Sequence, residues 1–539
     1  IMKISLKKGW LHMNREQLLA PEMYNIVSEF EQYAKGDGKE ALIYVSSDGL
    51  EKRMTYDELM EQANRAANAF AESGLKKGDV ILVMMPRLIE SYVTYIGALK
   101  SGIVVIPSSE MLRASDIEYR LAHSGAKAIV AHEKFIDQFN GVKGIEHVQL
   151  LIIGKTDMYQ GATSLTALMA QASPIFNIVE THRDDHAFLS YTSGTTGSPK
   201  GVVHTHAWGY AHLRTTGPGW LGINKEDVVW ATAAPGWQKW IWTPFLSVLG
   251  SGATGLVYDG KFDAEKYFAL IQAYQVNVLC CTPTEYRFMS ITDDLDTKDL
   301  SSLTHAVSAG EPLNPEVIEV FEEKFGIDVR DGYGQTENTL LIGTMVGMKP
   351  KLGSMGKPTP GNHVTIIDDK GEEVGPGIVG DIAVHKATPA LFEAYLNDPE
   401  RTAMQYRGDY YVTGDRASKD EEGYFWFEGR GDDIIVSSGY TIGPFEVETA
   451  VLEHPAVKEC AVVASPDPVR GNVVKAFIVL RDPTQKNEDG LKASIQDHVK
   501  QVTAPYKYPR KIEFIEEMPK TASGKIMRVA LRKLEQEKS

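Results

Sequence analysis

The chain has 539 residues and a mass of 59.6 kDa, too long for one compact core, and at about 150 residues per domain it is expected to form three or four folding units. A formal net charge of -16, from 56 Lys and Arg against 72 Asp and Glu, argues against general nucleic-acid or anionic-membrane binding, so an anionic substrate would need a local basic patch. Hydrophobic residues at 43% exclude disorder, and three cysteines, Cys280, Cys281 and Cys460, exclude a disulfide framework or a paired zinc site, which points to a reducing, cytoplasmic setting.

The N-terminal stretch Ile1 to Asn14 is basic without a sustained hydrophobic segment, so no secretory signal is expected there. No apolar run along the chain approaches the roughly 20 residues that span a bilayer, so integral membrane association is not expected either. Thr55-Tyr56-Asp57-Glu58 has capping-box spacing, and Leu59, Ala63, Ala66, Ala67 and Phe70 then recur at helical spacing up to Gly74, which predicts a helix. Lys77-Gly78-Asp79 turns the chain into a β-like run, Val80 to Met85; a helical stretch to Lys100 and a second run, Val104 to Pro107, complete a βαβ unit. The rhythm continues at Ala128 to Ala131, Val148 to Ile153, Val228 to Ala233, Gly255 to Tyr258, Val276 to Cys281 and His305 to Ala309. Such alternation predicts layered α/β architecture with largely parallel sheets and ligand loops at the carboxyl ends of strands.

From about His363 the pattern changes to short strands broken by turn signals, as at Asp369-Lys370-Gly371 and Gly375-Pro376-Gly377, which predicts a β-rich subdomain over about 360–431. Beyond Gly431 a helix near Phe445 to Glu453, strands near Cys460 to Ala464 and Val473 to Leu480, and a helix near Leu491 to Val502 suffice for a small α+β domain. The expected division is therefore a large domain, 1–431, and a small one, 432–539.

Tyr191-Thr192-Ser193-Gly194-Thr195-Thr196-Gly197-Ser198-Pro199-Lys200-Gly201 concentrates hydroxyls, glycines and a lysine between two apolar runs. Glycines let successive N–H groups face an anion, hydroxyls add neutral donors, and the lysine adds a mobile positive charge, so this loop suits a polyphosphate. It is not the common G-x-x-x-x-G-K-[ST] loop, because Ser198 and Pro199 follow Gly197. Two further loops follow predicted strands: Gly310-Glu311-Pro312, and Asp331-Gly332-Tyr333-Gly334-Gln335-Thr336-Glu337. Tyr333 offers a flat face for a purine, Thr336 a hydroxyl for phosphate and Glu337 a hard carboxylate oxygen for Mg²⁺. Asp415, ending Tyr411-Val412-Thr413-Gly414-Asp415, can accept two vicinal hydroxyls, and Arg430 follows in Gly429-Arg430-Gly431-Asp432-Asp433.

Taken in order, these motifs together with Pro519-Lys520-Thr521-Ala522-Ser523-Gly524-Lys525 resemble the acyl-adenylate-forming enzymes: acyl-CoA synthetases, luciferases and peptide-synthetase adenylation domains. The resemblance covers nearly the whole chain, and beyond Gly429 the segments Ser437-Ser438-Gly439-Tyr440, His454-Pro455-Ala456-Val457 and Thr503 to Lys511 are most similar to medium-chain acyl-CoA synthetases. It implies a carboxylic acid:CoA ligase in which the acid attacks the α-phosphorus of ATP, releasing pyrophosphate, and the thiol of coenzyme A then displaces AMP from acyl-AMP. It also implies a small C-terminal domain that rotates between the two steps about a hinge at Asp432.

By the same resemblance, Thr192 to Lys200 hold the β- and γ-phosphates, Thr336 addresses the α-phosphate, and Glu337 the metal. Gly310, Glu311, Asp331 and Tyr333 frame the adenine, Gly332, Gly334 and Gln335 belong to the same ATP site, Asp415 and Arg430 take the ribose, and Lys525 bridges the substrate carboxylate and phosphate oxygens. Ser438, Gly439, Tyr440, Arg470, Lys500, Tyr508, Pro509 and Arg510 match coenzyme A positions. Gly334 stands where acetate-specific relatives carry Trp, which implies an acid larger than acetate, with Trp237 as an apolar wall; Trp240 and Trp242 suit either pocket lining or core. The chain departs from the medium-chain pattern at Thr441, where an arginine is usual. Two rivals stay open at the level of sequence: an enzyme that loads a carrier-protein thiol, and a non-catalytic nucleotide-binding protein.

Overall fold

The computed structural model describes residues 13–156, 159–192, 199–311, 313–431, 433, 435–437, 440–467, 471–487, 490–503, 505–520 and 525–538. They form two compact units, Ile1–Val364 with His385–Asp409, and Thr365–Val384 with Tyr410–Ser539.

The first unit is built on two sheets. One runs in the order Ala394–Tyr395, Lys200–Thr205, His186–Thr192, Val104–Pro107, Val80–Met84, Ala128–His132, Gln149–Ile153 and Ala162–Ser164. Its strands are parallel except Lys200–Thr205, which runs antiparallel to both neighbours. The other contains Leu340–Gly343, Val329–Gly334, His305–Ala309, Val278–Cys281, Val228–Ala231, Thr254–Tyr258, Glu40–Val45 and Glu51–Thr55 side by side, parallel from Val329–Gly334 through Glu40–Val45.

Alternation along each strand decides the layers. Leu42 and Tyr44 from one sheet, and Ile81 and Val83 from the other, share a core with helices Tyr56–Glu72 and Ile89–Lys100. Their neighbours Ile43 and Val45 turn outward against helices Ala264–Ala273, Pro283–Ser290 and Pro315–Phe325, while Leu82 and Met84 pack with Ile117 and Leu121. Helices thus fill the space between the sheets and cover their outer faces. The helix Tyr56–Glu72 begins as its sequence predicts: Thr55 Oγ1 accepts from Glu58 N–H, and a Glu58 carboxylate oxygen accepts from Thr55 N–H at 2.8 Å, a cap of about 1 kcal/mol. It approaches Ile89–Lys100 closely because Gly97 has no side chain; a Cβ there would lie 2.7 Å from Ala66 Cβ.

In the second unit, Val364–Ile367, Gly380–His385, Tyr410–Lys419 and Phe425–Arg430 lie side by side in that order. The C-terminal part has Val457–Asp467 antiparallel to Gly471–Leu480, which is parallel to Lys511–Phe514, with helices Pro444–Leu452 and Leu491–Val502 sharing one core with this sheet. The first two strands run beyond the expected apolar runs because their pairing extends through Ser465–Asp467, polar positions that hydrophobicity does not report. Among the described residues no helix is long and apolar enough to cross a membrane. Cys280, Cys281 and Cys460 are buried free thiols, and burial raises each thiol above its ordinary range.

Candidate active site

The phosphate loop connects two antiparallel strands whose register ends at Tyr191 opposite Gly201 and Thr192 opposite Lys200. Ser193, Gly194, Thr195, Thr196, Gly197 and Ser198 lie outside the described residues. Both stems are held by the helix Ala114–Ser124: Tyr119 OH donates to Pro199 O at 2.9 Å, His123 Nδ1 is 2.9 Å from Tyr191 OH, and the Arg120 guanidinium lies 5.1 Å from the Tyr191 ring centre. Thr192 Oγ1 is buried with no hydrogen-bond partner among the described residues.

Asp331–Gly334 end a parallel strand, and Gly310-Glu311 leave the neighbouring one, with Ala309 in register with Gly332. Gly310 turns with φ +106°, a left-handed conformation that suits glycine. Glu311 Oε2 accepts from Thr284 Oγ1 at 3.1 Å. Asp331 is buried, and burial pushes its carboxyl up to about 7 although Gly332 N–H donates to Oδ1 at 2.8 Å. The chain then makes a turn closed by Gln335 N–H to Asn338 Oδ1 at 2.8 Å and Asn338 N–H to Gln335 O at 3.1 Å. That turn carries Thr336 and Glu337.

The structure brings Glu337 and Lys200 together through a residue that sequence reasoning missed, Tyr395. Its hydroxyl donates to Glu337 Oε1 at 2.9 Å and accepts from Lys200 Nζ at 3.1 Å; the ammonium also lies 4.6 Å from the Tyr395 ring centre and 3.7 Å from Glu337 Oε1. Tyr395 reaches this place because Ala394–Tyr395 pairs with Val202 and Val203 just after the loop. Tyr395 and Lys200 both face Glu337 Oε1, and among the described residues no cluster of three or more His, Cys, Asp or Glu is placed to hold a metal. One oriented carboxylate oxygen suits Mg²⁺, which keeps waters and takes one or two carboxylates plus substrate phosphates.

Gly334 sits at a bulge, and a Cβ there would meet Thr339 O at 2.1 Å and the Trp242 ring at 2.9 Å. The position therefore admits no side chain without moving the Thr339 carbonyl as well as Trp242. Trp237 is half-buried before the short helix Gln238–Trp240, and Gly236 (φ +93°) passes so close to Ser108 that a Cβ would lie 2.4 Å from its carbonyl oxygen. Trp240 is core, stacked 5.3 Å from Phe245 and packed on Tyr92 and Tyr95. Lys239, also missed from sequence, donates to Ala309 O at 2.5 Å at the mouth of the parallel sheet.

In the second unit Asp415 and Arg430 stand opposite one another on paired strands, with Arg430 Nε 3.7 Å from the buried Asp415 carboxylate. Four of the coenzyme A positions cluster: Lys500 Nζ and the Arg510 guanidinium lie 4.6 Å and 4.7 Å from the Tyr508 ring centre, Arg510 Nη1 donates to Tyr508 OH at 2.6 Å, and Pro509 O accepts from Gln496 Nε2 at 2.9 Å. Tyr440 pairs with Ser437 in a short hairpin that also holds Thr441. Asp432, Ser438, Gly439 and Arg470 lie outside the described residues. Lys525 is exposed beside Ile526, which bridges back to Lys520.

Layered α/β sheets with a small C-terminal domain are the fold of adenylate-forming enzymes, shared by solved acyl- and aryl-CoA ligases. The chain belongs to the AMP-binding enzyme family, whose model matches residues 30–396, while the AMP-binding enzyme C-terminal domain matches residues 446–525. It is 58% identical over 97% of its length to the uncharacterized acyl–CoA ligase YtcI of Bacillus subtilis (98% of that protein), and 41% identical over 96% of its length to mitochondrial acyl-coenzyme A synthetase ACSM3 of Mus musculus (91% of that protein). The crystal structure of the anthranilate CoA ligase AuaEII with anthranoyl-AMP superposes with a TM-score of 0.88 at 29% identity, covering 96% of this chain and 98% of that one. A benzoate CoA ligase from Burkholderia xenovorans LB400 gives 0.82 at 29%, covering 94% and 100%. The protein is an AMP-forming acyl-CoA synthetase: it joins a carboxylic acid to coenzyme A through acyl-AMP and uses ATP and Mg²⁺.

Proposed function

We propose that the acid is medium-chain, branched or aromatic, and that Lys525, Thr336 and Glu337 carry the adenylation step. The substrate reading is supported by the resemblance, in which Gly334 stands where acetate-specific relatives carry Trp; within this chain the space beside Gly334 is itself filled by the Thr339 carbonyl and the Trp242 indole, so the glycine alone opens no pocket. The named substrates of the relatives, anthranilate and benzoate, belong to the same class of larger acids. A panel of acids assayed for AMP release with coenzyme A is expected to show kcat/KM at least about tenfold above acetate for acids of six or more carbons, the scale of a few buried methylenes. Turnover of acetate alone would overturn this reading.

The chemistry follows from charge. A carboxylate attacking the α-phosphorus adds negative charge to an already anionic centre, so the protein must supply positive charge and orientation more than covalent help. In this reading the phosphate loop with Thr192, Pro199 and Lys200 orients pyrophosphate as leaving group, Thr336 donates to an α-phosphate oxygen, and Glu337 Oε2 takes the metal. Mg²⁺ on the phosphates would neutralise part of the developing charge. Gly310, Glu311, Asp331 and Tyr333 frame the adenine, with Gly332, Gly334 and Gln335 in the same ATP site, and Asp415 and Arg430 take the ribose. The Lys500–Tyr508–Arg510 cluster supports coenzyme A as the acceptor over a carrier protein, since two cations flanking a ring suit its phosphates and adenine. A division at 431/432, rotation about Asp432 and a cytoplasmic setting belong to the same proposal.

Asp331 gives this reading a stability signature. Folding raises its pKa from 3.8 to about 7, so the native state binds the proton more tightly, and stability falls as pH rises through that interval. Asp331→Asn is therefore expected to melt higher than the parent at pH 8, with the difference closing as pH falls toward the unfolded value. It is also expected to raise KM for ATP, because the acceptor for the adenine amino group becomes a neutral amide. A variant that melts lower at pH 8 and binds ATP as before contradicts both assignments.

A further inference from the structure

We infer that His204, Trp208 and His212 form a positioning column that fixes the Thr336–Glu337 turn relative to the phosphate loop, an inference that rests on the adenylation roles proposed above. The three residues leave the loop on one continuous piece of backbone: strand Lys200–Thr205, then helix His206–Thr216, capped where Thr205 Oγ1 accepts from Trp208 N–H. His204 is the last strand residue but one, and Trp208 and His212 follow at one-turn spacing, so the rings stack at centroid distances of 4.2 Å and 5.3 Å.

Each ring gives its polar atom to the catalytic turn or its surroundings. His204 Nε2 lies 2.6 Å from Thr336 O, Trp208 Nε1 donates to Asn338 O at 3.0 Å, and His212 Nδ1 lies 2.7 Å from Thr339 Oγ1. A carbonyl only accepts, so His204 Nε2 carries the proton; His212 Nε2 likewise donates to Trp242 O at 2.9 Å, leaving Nδ1 to accept from the Thr339 hydroxyl. From the other side Phe392 N–H donates to Glu337 O at 2.8 Å. Three successive carbonyls, at 336, 337 and 338, and the next hydroxyl are thereby all held. Trp242, which also fills the space beside Gly334, is the far end of the column at 5.6 Å from His212.

All three rings are buried, and the arrangement does not change with pH in the working range: burial holds His204 down to about 3 and His212 to about 4, so both stay neutral donors. Lys200 lies four residues before His204 on the same strand, so the lysine that reaches Tyr395 and the turn that bears Glu337 are set by one rigid element. Thr336 and Glu337 act at the α-phosphate and metal, where a displacement of about 1 Å costs roughly 10²-fold.

His204→Phe keeps a ring in the stack and withdraws one donor, and His204 Nδ1 has no hydrogen-bond partner among the described residues to lose. It is expected to lower kcat for acid-dependent ATP–pyrophosphate exchange by roughly 10- to 100-fold while KM for the acid stays within about threefold. His204→Gln, whose Nε2 donates to the same carbonyl, is expected to recover most of that loss, which a purely packing role would not allow. Glu337→Gln separates the two levels of inference: if it exchanges at the parent rate, the adenylation reading itself fails. If Glu337→Gln collapses while folded His204→Phe exchanges at the parent rate, or His204→Gln does no better than His204→Phe, the positioning column is overturned. Should His204→Phe be insoluble, Trp208→Phe, which removes the N–H to Asn338 O and leaves a ring, carries the same expectation and the same contrary result.

Discussion

Lys525→Ala is expected to lower acid-dependent ATP–pyrophosphate exchange by about 10³-fold, the scale of removing a preorganised donor from a site of developing charge. Lys525 is exposed, and an ammonium in water contributes little; its value rises steeply where carboxylate and phosphate oxygens crowd together away from solvent. The segment that carries it is anchored on both sides within its own unit. Lys520 Nζ pairs with Glu459 Oε2 at 2.6 Å and Met527 N–H donates to Pro519 O at 2.8 Å, while Arg528 makes three bonds to the buried Glu448 at 2.6 Å, 2.8 Å and 3.1 Å. The residues on either side of the lysine are thus tied down within its own unit. The diagnostic contrast is the second half-reaction: with acyl-AMP supplied, Lys525→Ala should form acyl-CoA within a few-fold of the parent rate. Equal loss in both halves would show that the substitution damages the fold or that Lys525 serves both steps.

Asp432→Pro is expected to give the opposite split, with thioester formation from acyl-AMP falling at least about tenfold more than pyrophosphate exchange, a difference of about 1.4 kcal/mol in barrier. Asp432 itself lies outside the described residues, but its neighbours show what a proline would restrain. Gly431 N–H donates to Gly414 O at 2.8 Å and Asp433 N–H to Arg430 O at 3.0 Å, so the chain leaves the Asp415–Arg430 strand pair through a tied corner. A hinge works by letting a few backbone dihedrals change; proline locks φ near −65° and removes an N–H. If the family's rotation about this point brings a second face to acyl-AMP, fixing the dihedral arrests the enzyme after its first step. Pyrophosphate exchange and thioester formation reduced to the same extent would contradict that role.

The parts of the molecule legible from sequence are those governed by local rules. The helix Tyr56–Glu72 is marked by its capping box and by apolar residues on one stripe, and the parallel strands by short apolar runs between turn signals. The strands flanking 193–198 and the strand that carries Asp331 are legible because apolar runs adjoin their polar ends, where the fold gathers ligand loops. Tyr395 was not, because its contact with Lys200 and Glu337 arises from the pairing of a two-residue strand with Val202 and Val203 far earlier in the chain, and nothing in Glu393-Ala394-Tyr395 signals it. Nor was the His204–Trp208–His212 column, whose one-turn spacing reads equally as ordinary core packing until the carbonyls it holds are seen. The stretch after Trp237 defeats periodicity for another reason: Ile241–Ser247 is π-helical, contains Pro244 and is buried on every side, so no apolar stripe exists to be read. The near-neutral carboxyl of Asp331 is likewise a product of burial, which no local pattern reports.

The most direct test of the whole account is ATP–pyrophosphate exchange measured with a larger carboxylic acid, first without and then with coenzyme A, while the nucleotide product is identified. Acid-dependent exchange is expected in the absence of coenzyme A, followed on its addition by AMP and acyl-CoA in equal amounts. Exchange that requires coenzyme A, or release of ADP and orthophosphate in place of AMP, would contradict it.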